Sequence, residues 1–234
     1  MSQSKSIIYL IPSLLNDEAI ETIPRYVIEA VKNCNVLFVE NERTARRFLK
    51  KLWKELVIDA YEWHVMAGSP TIDVFKQKVK ERRNIGIISE AGCPGVADPG
   101  QDLIAIAHEM NVDVKPLVGP SSILLALMAS GMNGQQFQFV GYLPIKEDER
   151  IKAIKELETE SQKKKCTQIF IETPYRNTRL MESILKICKP TTRLCVAVNL
   201  TAADELIKTK SIADWKQEKL DIHKRPAIYL ILAQ

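Results

Sequence analysis

Three short stretches carry residues whose types and spacing suit the holding of a ligand. The longest, Ser89-Glu90-Ala91-Gly92-Cys93-Pro94-Gly95-Val96-Ala97-Asp98-Pro99-Gly100, contains three of the chain's nine glycines and two of its eleven prolines. Such a loop lets backbone N–H and C=O groups come close to a bound molecule. The second, Val118-Gly119-Pro120-Ser121-Ser122, ends in two serines at a helix start. Their hydroxyls and free N–H groups would receive a polar or anionic group, or simply cap the helix, and both roles are compatible. In the third, Glu172-Thr173-Pro174-Tyr175-Arg176, acid and base stand four residues apart and pair with each other or with neighbours. The reading favours structure for Glu172 and substrate contact for Arg176.

Other candidates have two readings each. Glu40 and Arg43 either position a substrate and assist proton removal, or are a helix N-terminal acid and an exposed ion pair. His64, placed in a loop, is of the residue type most often used as a general base, although lone loop histidines more often have no such task. The five cysteines (34, 93, 166, 188 and 195) are scattered, without a C-x-x-C, and the three histidines lack ligand spacing. Neither a disulfide nor a metal site is expected.

The elements that must position these residues alternate between strand and helix along the whole chain, which predicts an α/β protein. Residues 84–88 are short, apolar and rich in β-branched side chains, as a buried parallel strand should be. Residues 101–110 put Leu103, Ile104, Ala107 and Met110 on one helix face. Loop 89–100 therefore sits at the carboxyl end of a strand, where open α/β sheets bind ligands. Further strands are expected at 7–11, 36–39, 57–61 (weakly), 112–117, 137–140, 167–171, 193–198 and 227–232. A helix with Phe48, Leu49, Leu52, Trp53 and Leu56 on one stripe follows residue 43. Helices also follow residues 70, 146 and 177. Residues 121–130 are apolar nearly all round, so that helix should be buried on most sides. Two domains are expected, 1–117 and 118–234.

With 46% hydrophobic residues the chain has enough apolar material for sizeable cores. No apolar run approaches the roughly 20 residues of a membrane span, and the amino terminus lacks the form of a signal peptide. The expected location is the cytoplasm. A net charge of +4 permits an RNA partner without arguing for one.

The three stretches together resemble the tetrapyrrole methylase superfamily, and within it the ribosomal RNA small-subunit methyltransferase I family. That family's S-D-A-G-T-P-x-x-x-D-P-G corresponds to residues 89–100, its P-G-P-S-A to 118–122, and its E-S-P-H-R to 172–176. Its F-x-G-F-L-P-x-K corresponds to Phe139-Val140-Gly141-Tyr142-Leu143-Pro144-Ile145-Lys146. The resemblance implies two αβα domains with S-adenosylmethionine in the cleft between them, usually in a homodimer. It also implies 2'-O-methylation of a cytidine in small-subunit ribosomal RNA, so the partners would be ribosomal RNA or the small ribosomal subunit, with no membrane. Cofactor contacts would fall to Pro12, Glu90, Gly92, Cys93, Val96, Ser121, Ser122, Ile171, Pro226 and Ala227. Glu40, Arg43 and His64 would serve catalysis, and Tyr61, Lys146 and Arg176 the substrate.

The chain departs from the family pattern in its first half. The family's T-P-I-G-N-L is replaced by Pro12-Ser13-Leu14-Leu15-Asn16-Asp17, which has no glycine, and its E-D-T-R by Glu40-Asn41-Glu42-Arg43. Glu90 stands for an aspartate and Cys93 for a threonine. Only Tyr61 and His64 remain of S-Y-H-E-H-N. R-E-L-T-K becomes Val198-Asn199-Leu200-Thr201-Ala202, with three charges lost. Three functions follow: an RNA methyltransferase, a methyltransferase with a small-molecule or protein acceptor, and an inactive cofactor-binding dimer. Methyl transfer needs little acid–base machinery because alignment supplies most of the gain, so a missing catalytic dyad excludes none of them.

Overall fold

A computed structural model of the chain describes residues 6–233, with Ser69 described by its backbone alone. Residues 1–5, which carry the signal-peptide reading, lie outside the described residues. The chain forms two compact units, divided between Ser121 and Ser122, a few residues after the 117/118 boundary read from the sequence. No helix among the described residues is long and apolar enough to cross a membrane.

The first unit contains β1 (Ile7–Ile11), α1 (Tyr26–Asn33), β2 (Val36–Val39), α2 (Glu42–Leu52), β3 (Glu62–Val65), α3 (Ser69–Lys80), β4 (Ile85–Ile88), α4 (Gln101–Glu109) and β5 (Asp113–Pro116). Its five strands are parallel in the order β3-β2-β4-β1-β5. Side chains alternate across the sheet with the strand period of two. Tyr9, Ile11, Leu37 and Val39 pack with the side chains of α1 and α2. Ile8, Val36, Phe38, Ile85 and Ile87 pack with those of α3 and α4. Both faces are covered, which is why the strands read as continuous apolar runs. From β1 the chain moves toward β2 and β3, and from β4 it moves the other way to β5. The adjacent strands β1 and β4 thus send their loops in opposite directions, leaving a crevice at their carboxyl ends.

The second unit contains α5 (Ser122–Ser130), β6 (Phe137–Tyr142), α6 (Glu147–Lys164), β7 (Thr167–Glu172), α7 (Asn177–Ile187), β8 (Arg193–Val198), β9 (Leu206–Ser211), α8 (Ile212–Trp215) and β10 (Ala227–Leu232). Its sheet runs β6-β7-β10-β8-β9, with only β6 and β7 parallel. Ile154 of α6 and Leu180 and Ile184 of α7 share a core with Phe170, Val196, Trp215 and Tyr229. Helix α5 packs across β8, β9 and β10.

Four expectations need correction. Residues 57–61 are not a strand: Ile58–Ala60 form a 3-10 turn, and the strand is the charged and aromatic Glu62–Val65, paired in register with β2. An edge strand is buried on neither face completely, so polar residues suit it. Helix α2 ends at Leu52, and Trp53 turns into extended backbone. Along α5 the buried stripe is Ala126, Leu127 and Ser130, while Leu124 and Met128 remain 52% and 79% exposed. Strand β9 was unexpected because lysines interrupt its apolar residues, and its order comes from pairing with β8.

Gly86 shows how closely the first sheet is packed: a Cβ there would lie 2.6 Å from Leu37 Cδ2 and 2.7 Å from Ile11 Cδ1. Gly86→Ala should therefore destabilise the protein by about 1–3 kcal/mol through overpacking, read as a lower urea midpoint at unchanged slope.

Candidate functional site

The crevice at β1 and β4 is built by loops from three strands. After β1, the Ser13 N–H donates to the Gly92 carbonyl at 2.8 Å, and Ser13 Oγ donates to the Ser89 carbonyl at 2.7 Å. After β5, the Pro120 carbonyl accepts from Cys93 Sγ at 3.6 Å. Gly119 lies against the Pro12 ring so closely that a Cβ would fall 2.1 Å from Pro12 Cβ. Gly92, Gly95 and Gly100 have φ of 69°, 78° and 118°, a left-handed backbone open to glycine, and Ala97 shares it at 64°. The glycine-free loop 12–17 is therefore seated by glycines that belong to its neighbours.

Carboxylates gather along the same rim. Glu40, directly after β2, accepts the Glu90 N–H through Oε2 at 2.9 Å. Glu90 Oε1 accepts from Thr44 Oγ1 at 3.2 Å. Burial pushes the Asp98 carboxyl up to about 6; repulsion from Glu40 and from Glu90 adds to this, while a hydrogen bond from Ser89 acts the other way. Burial also raises the Cys93 thiol, helped by Asp98. Glu40, Glu90 and Asp98 thus gather on one side of the rim, with Arg47 and Lys51 of α2 facing Glu90 across a neighbouring cavity. A cavity of about 460 Å³ opens beside it, between Met66, Gly68 and Thr71 on one wall and Asp98 and Gln101 on the other. A smaller one of about 220 Å³ lies between Ser13, Asp17 and Glu90 and the α2 residues Thr44, Arg47 and Lys51.

Pro12, Glu40, Arg43, Glu90, Gly92, Cys93 and Val96 all stand on this rim, and Ser121 follows Pro120. Asn41 caps α2 by accepting the Arg43 and Thr44 N–H groups, which leaves the exposed Arg43 guanidinium without a partner among the described residues. Glu40 and Arg43 are not an ion pair. In the second unit, Ile171 and Arg176 lie at or beyond the carboxyl end of β7. Lys146 follows β6, which runs parallel to β7, and Pro226 and Ala227 lie at the adjoining start of β10. Ser122 opens α5. Arg176 gives both Nε and Nη2 to Glu172 Oε1, so one edge of its guanidinium is spent inside the unit and three of its five N–H donors remain. Lys146 is exposed and 3.2 Å from Glu149.

Two candidates lie elsewhere. Tyr61 precedes β3, at the amino-terminal edge of the sheet, and its hydroxyl donates to the Val31 carbonyl. A parallel sheet puts that edge opposite the rim, so Tyr61 does not join the other candidates. His64 is in β3 rather than a loop. It stacks on Phe38 at 5.0 Å, and its Nε2 lies 2.8 Å from a Glu62 oxygen that Lys78 also reaches at 2.8 Å. That environment is an edge-strand charge cluster over α3. The sequence reading had passed over Asp98, Ser13 and Thr44. An acid inside a glycine-proline loop was the available signal for Asp98, whereas Ser13 and Thr44 are ordinary in sequence.

Two outcomes follow from the rim. Gly119→Ala should destabilise by about 1–3 kcal/mol, whereas Gly134→Ala, whose Cβ would meet nothing within 4 Å, should stay within about 0.5 kcal/mol of wild type; urea unfolding of both variants measures the contrast. Asp98 titrates from 3.8 as an ordinary carboxyl to about 6 in the fold, so the native state binds its proton more tightly. The stability this gives is complete below about pH 4 and is lost as pH rises through about 6. Asp98→Asn should flatten that dependence and be more stable than wild type at pH 7–8, read from urea midpoints across pH 4–8.

Comparison with known proteins places these loops in context. The model for tetrapyrrole (corrin/porphyrin) methylases matches residues 19–215. The chain is 31% identical over 202 residues to the ribosomal RNA small subunit methyltransferase I of Micromonospora olivasterospora, covering 85% of this chain and 60% of that one. With the protein of the same name from Halalkalibacterium halodurans it shares 28% over 185 residues, 78% of this chain and 61% of the relative. The matches thus span about three-fifths of these two relatives. Among solved structures, a diphthine synthase superposes with a TM-score of 0.68 at 12% identity, covering 98% of this chain and 90% of that one. The methyltransferase CobJ gives 0.64 at 16%, covering 98% and 95%. At these identities the structural likeness establishes the fold alone. The family model spans most of the sequence, and the chain belongs to the tetrapyrrole methylase family.

Proposed function

We propose that this chain is an S-adenosylmethionine-dependent methyltransferase acting on small-subunit ribosomal RNA, with 2'-O-methylation of a cytidine as the reaction. The observation that carries the reading is the methylase match over residues 19–215, on a fold whose strand-end rim gathers Glu40, Glu90 and the raised Asp98 carboxyl. The similarity to ribosomal RNA small subunit methyltransferase I proteins supports RNA as the acceptor. The residues fit the cofactor by the chemistry of their donor set. Glu40, Glu90 and Asp98 suit a ligand that carries positive charge, and the glycine backbone of loop 89–100 offers N–H and C=O groups to its polar parts.

Bound S-adenosylmethionine supplies a methyl group on a sulfonium, already activated for transfer. The chain's own residues have to bind, align and exclude water, and alignment alone is worth several orders of magnitude in rate. Pro12, Gly92, Cys93, Val96, Ser121 and Ser122 are assigned to cofactor binding, as are Ile171, Pro226 and Ala227 of the second unit. Glu40 has one oxygen held by the Glu90 N–H and the other without a partner among the described residues, so it is available to take a hydroxyl proton. The unpaired Arg43 suits a phosphate of the acceptor. Lys146 is exposed and available to the same backbone, and Arg176 contributes what Glu172 leaves free. His64 and Tyr61 have no part in this proposal. A cytoplasmic homodimer working on the ribosomal subunit completes it, on the strength of the family resemblance.

Calorimetric titration with S-adenosylmethionine should show saturable binding that S-adenosylhomocysteine competes for; absence of both would refute the enzyme reading. Arg43→Ala should bind the cofactor normally and lose about 10- to 150-fold in kcat/KM on undermethylated small subunits, the cost of about 1.5–3 kcal/mol for a charged hydrogen bond. Cofactor binding without methyl transfer to those subunits would redirect the search to small-molecule or protein acceptors.

A further inference from the structure

Arg150, in the first turns of α6, is only 8% exposed. Its Nε donates to Ser183 Oγ at 3.2 Å and its Nη1 to the Ile145 carbonyl at 2.8 Å. Neither partner is charged, Nη2 has no partner among the described residues, and no carboxylate forms an ion pair with it. Arginine is rarely buried unless paired, and a guanidinium cannot shed its charge as a buried lysine can. Burial of a charge without a counter-ion is strongly disfavoured.

Arg150 lines a cavity of about 470 Å³ between α6 and α7. Arg179 and Lys186 of α7 line the same cavity, and neither forms an ion pair among the described residues. Glu147 and Glu182 also line it, so the wall carries three positive and two negative groups. The buried member is a cation, fixed by two neutral acceptors that aim its planar fork. Ser183 adds a hydroxyl whose own proton goes to the Arg179 carbonyl at 2.9 Å. A guanidinium held by two neutral acceptors, with two exposed cations beside it, offers charge-assisted hydrogen bonds to an oxyanion such as phosphate rather than to a neutral ligand.

We propose that the α6–α7 cavity of the second unit is a phosphate site, in which Arg150 makes the fixed contact and Arg179 and Lys186 close around the anion. The phosphate comes either from the RNA backbone or from free phosphate. The site itself does not depend on methyl transfer, and only the RNA source rests on the proposed function.

The test uses the full chain and the double variant Arg179→Ala/Lys186→Ala, whose exposed side chains can be removed without opening the core. Inorganic phosphate, titrated against chloride at constant ionic strength, should raise the wild-type unfolding temperature saturably and have a weaker effect on the variant. With a small-subunit RNA fragment, the variant should lose about one unit of the slope of log affinity against log salt if the site takes a backbone phosphate. Saturable phosphate binding with an unchanged RNA slope assigns the site to free phosphate, and a reduced slope alone assigns it to RNA. No specific phosphate effect on the wild type together with equal RNA slopes would overturn the proposal. Cofactor calorimetry on the same two proteins separates this result from failure of the methyltransferase reading, because neither substitution touches the rim of the first unit.

Discussion

Backbone-to-backbone contact between loops of different strands fixes the rim on which the first unit's chemistry depends. Ser13 pairs with Gly92 as an isolated antiparallel bridge, and Gly119 admits the Pro12 ring only because it lacks a side chain. These contacts tie the exits of β1, β4 and β5 into one surface. A loop without glycine can therefore occupy the first position, since the required freedom sits at residues 92 and 119. Leu14 joins the core beside Ile11 and Ile23 and also lines the smaller cavity of the rim.

The same contacts concentrate charge. Loop 89–100 brings Asp98 back toward the exits of β2 and β4, where Glu40 already holds the Glu90 backbone. Burial and repulsion then raise the Asp98 carboxyl to about 6, an unfavourable arrangement for the empty fold near neutral pH. Polar strain of this kind commonly marks a functional site. A cationic ligand would relieve it, whereas a neutral or anionic one would not. Replacing aspartate by Glu90 fits this picture, since the longer side chain reaches Thr44 on α2.

Most of the first unit's sheet was legible in sequence because its strands are buried on both faces and read as apolar runs. Pairing decided the places where the reading failed. Strand β3 is ordered by its register with β2 in spite of Glu62 and His64, while Val57 and Ile58, better strand formers by composition, form a turn. In the second unit, β9 is likewise an edge strand whose lysines hide it. At the site, glycine and proline revealed the loops, but not which acid would have its carboxyl raised. Tyr61 and His64 keep motif positions in sequence, and the fold sets Tyr61 before β3 and His64 within it. Residue type and order along the chain do not specify the edge of a parallel sheet; only strand boundaries do.

The two units hold their unusual charges in opposite ways. On the first rim, acids crowd together, and one of them can take up a proton when no cation is present. In the second unit, Arg150 has no such recourse, because a guanidinium keeps its charge in the protein interior. Its neutral partners, Ile145 and Ser183, satisfy two of its nitrogens without balancing it. An apolar residue at position 150 would pack against α7 with no desolvation cost, so packing alone gives no reason for an arginine. The third nitrogen of Arg150 is not among the fully buried unpartnered atoms and belongs to a residue lining the cavity, so an anion there would gain a charge-assisted hydrogen bond. The helix pair α6–α7 thereby acquires a role beyond covering the sheet, because the residue that its packing explains least is the one best placed to meet a phosphate.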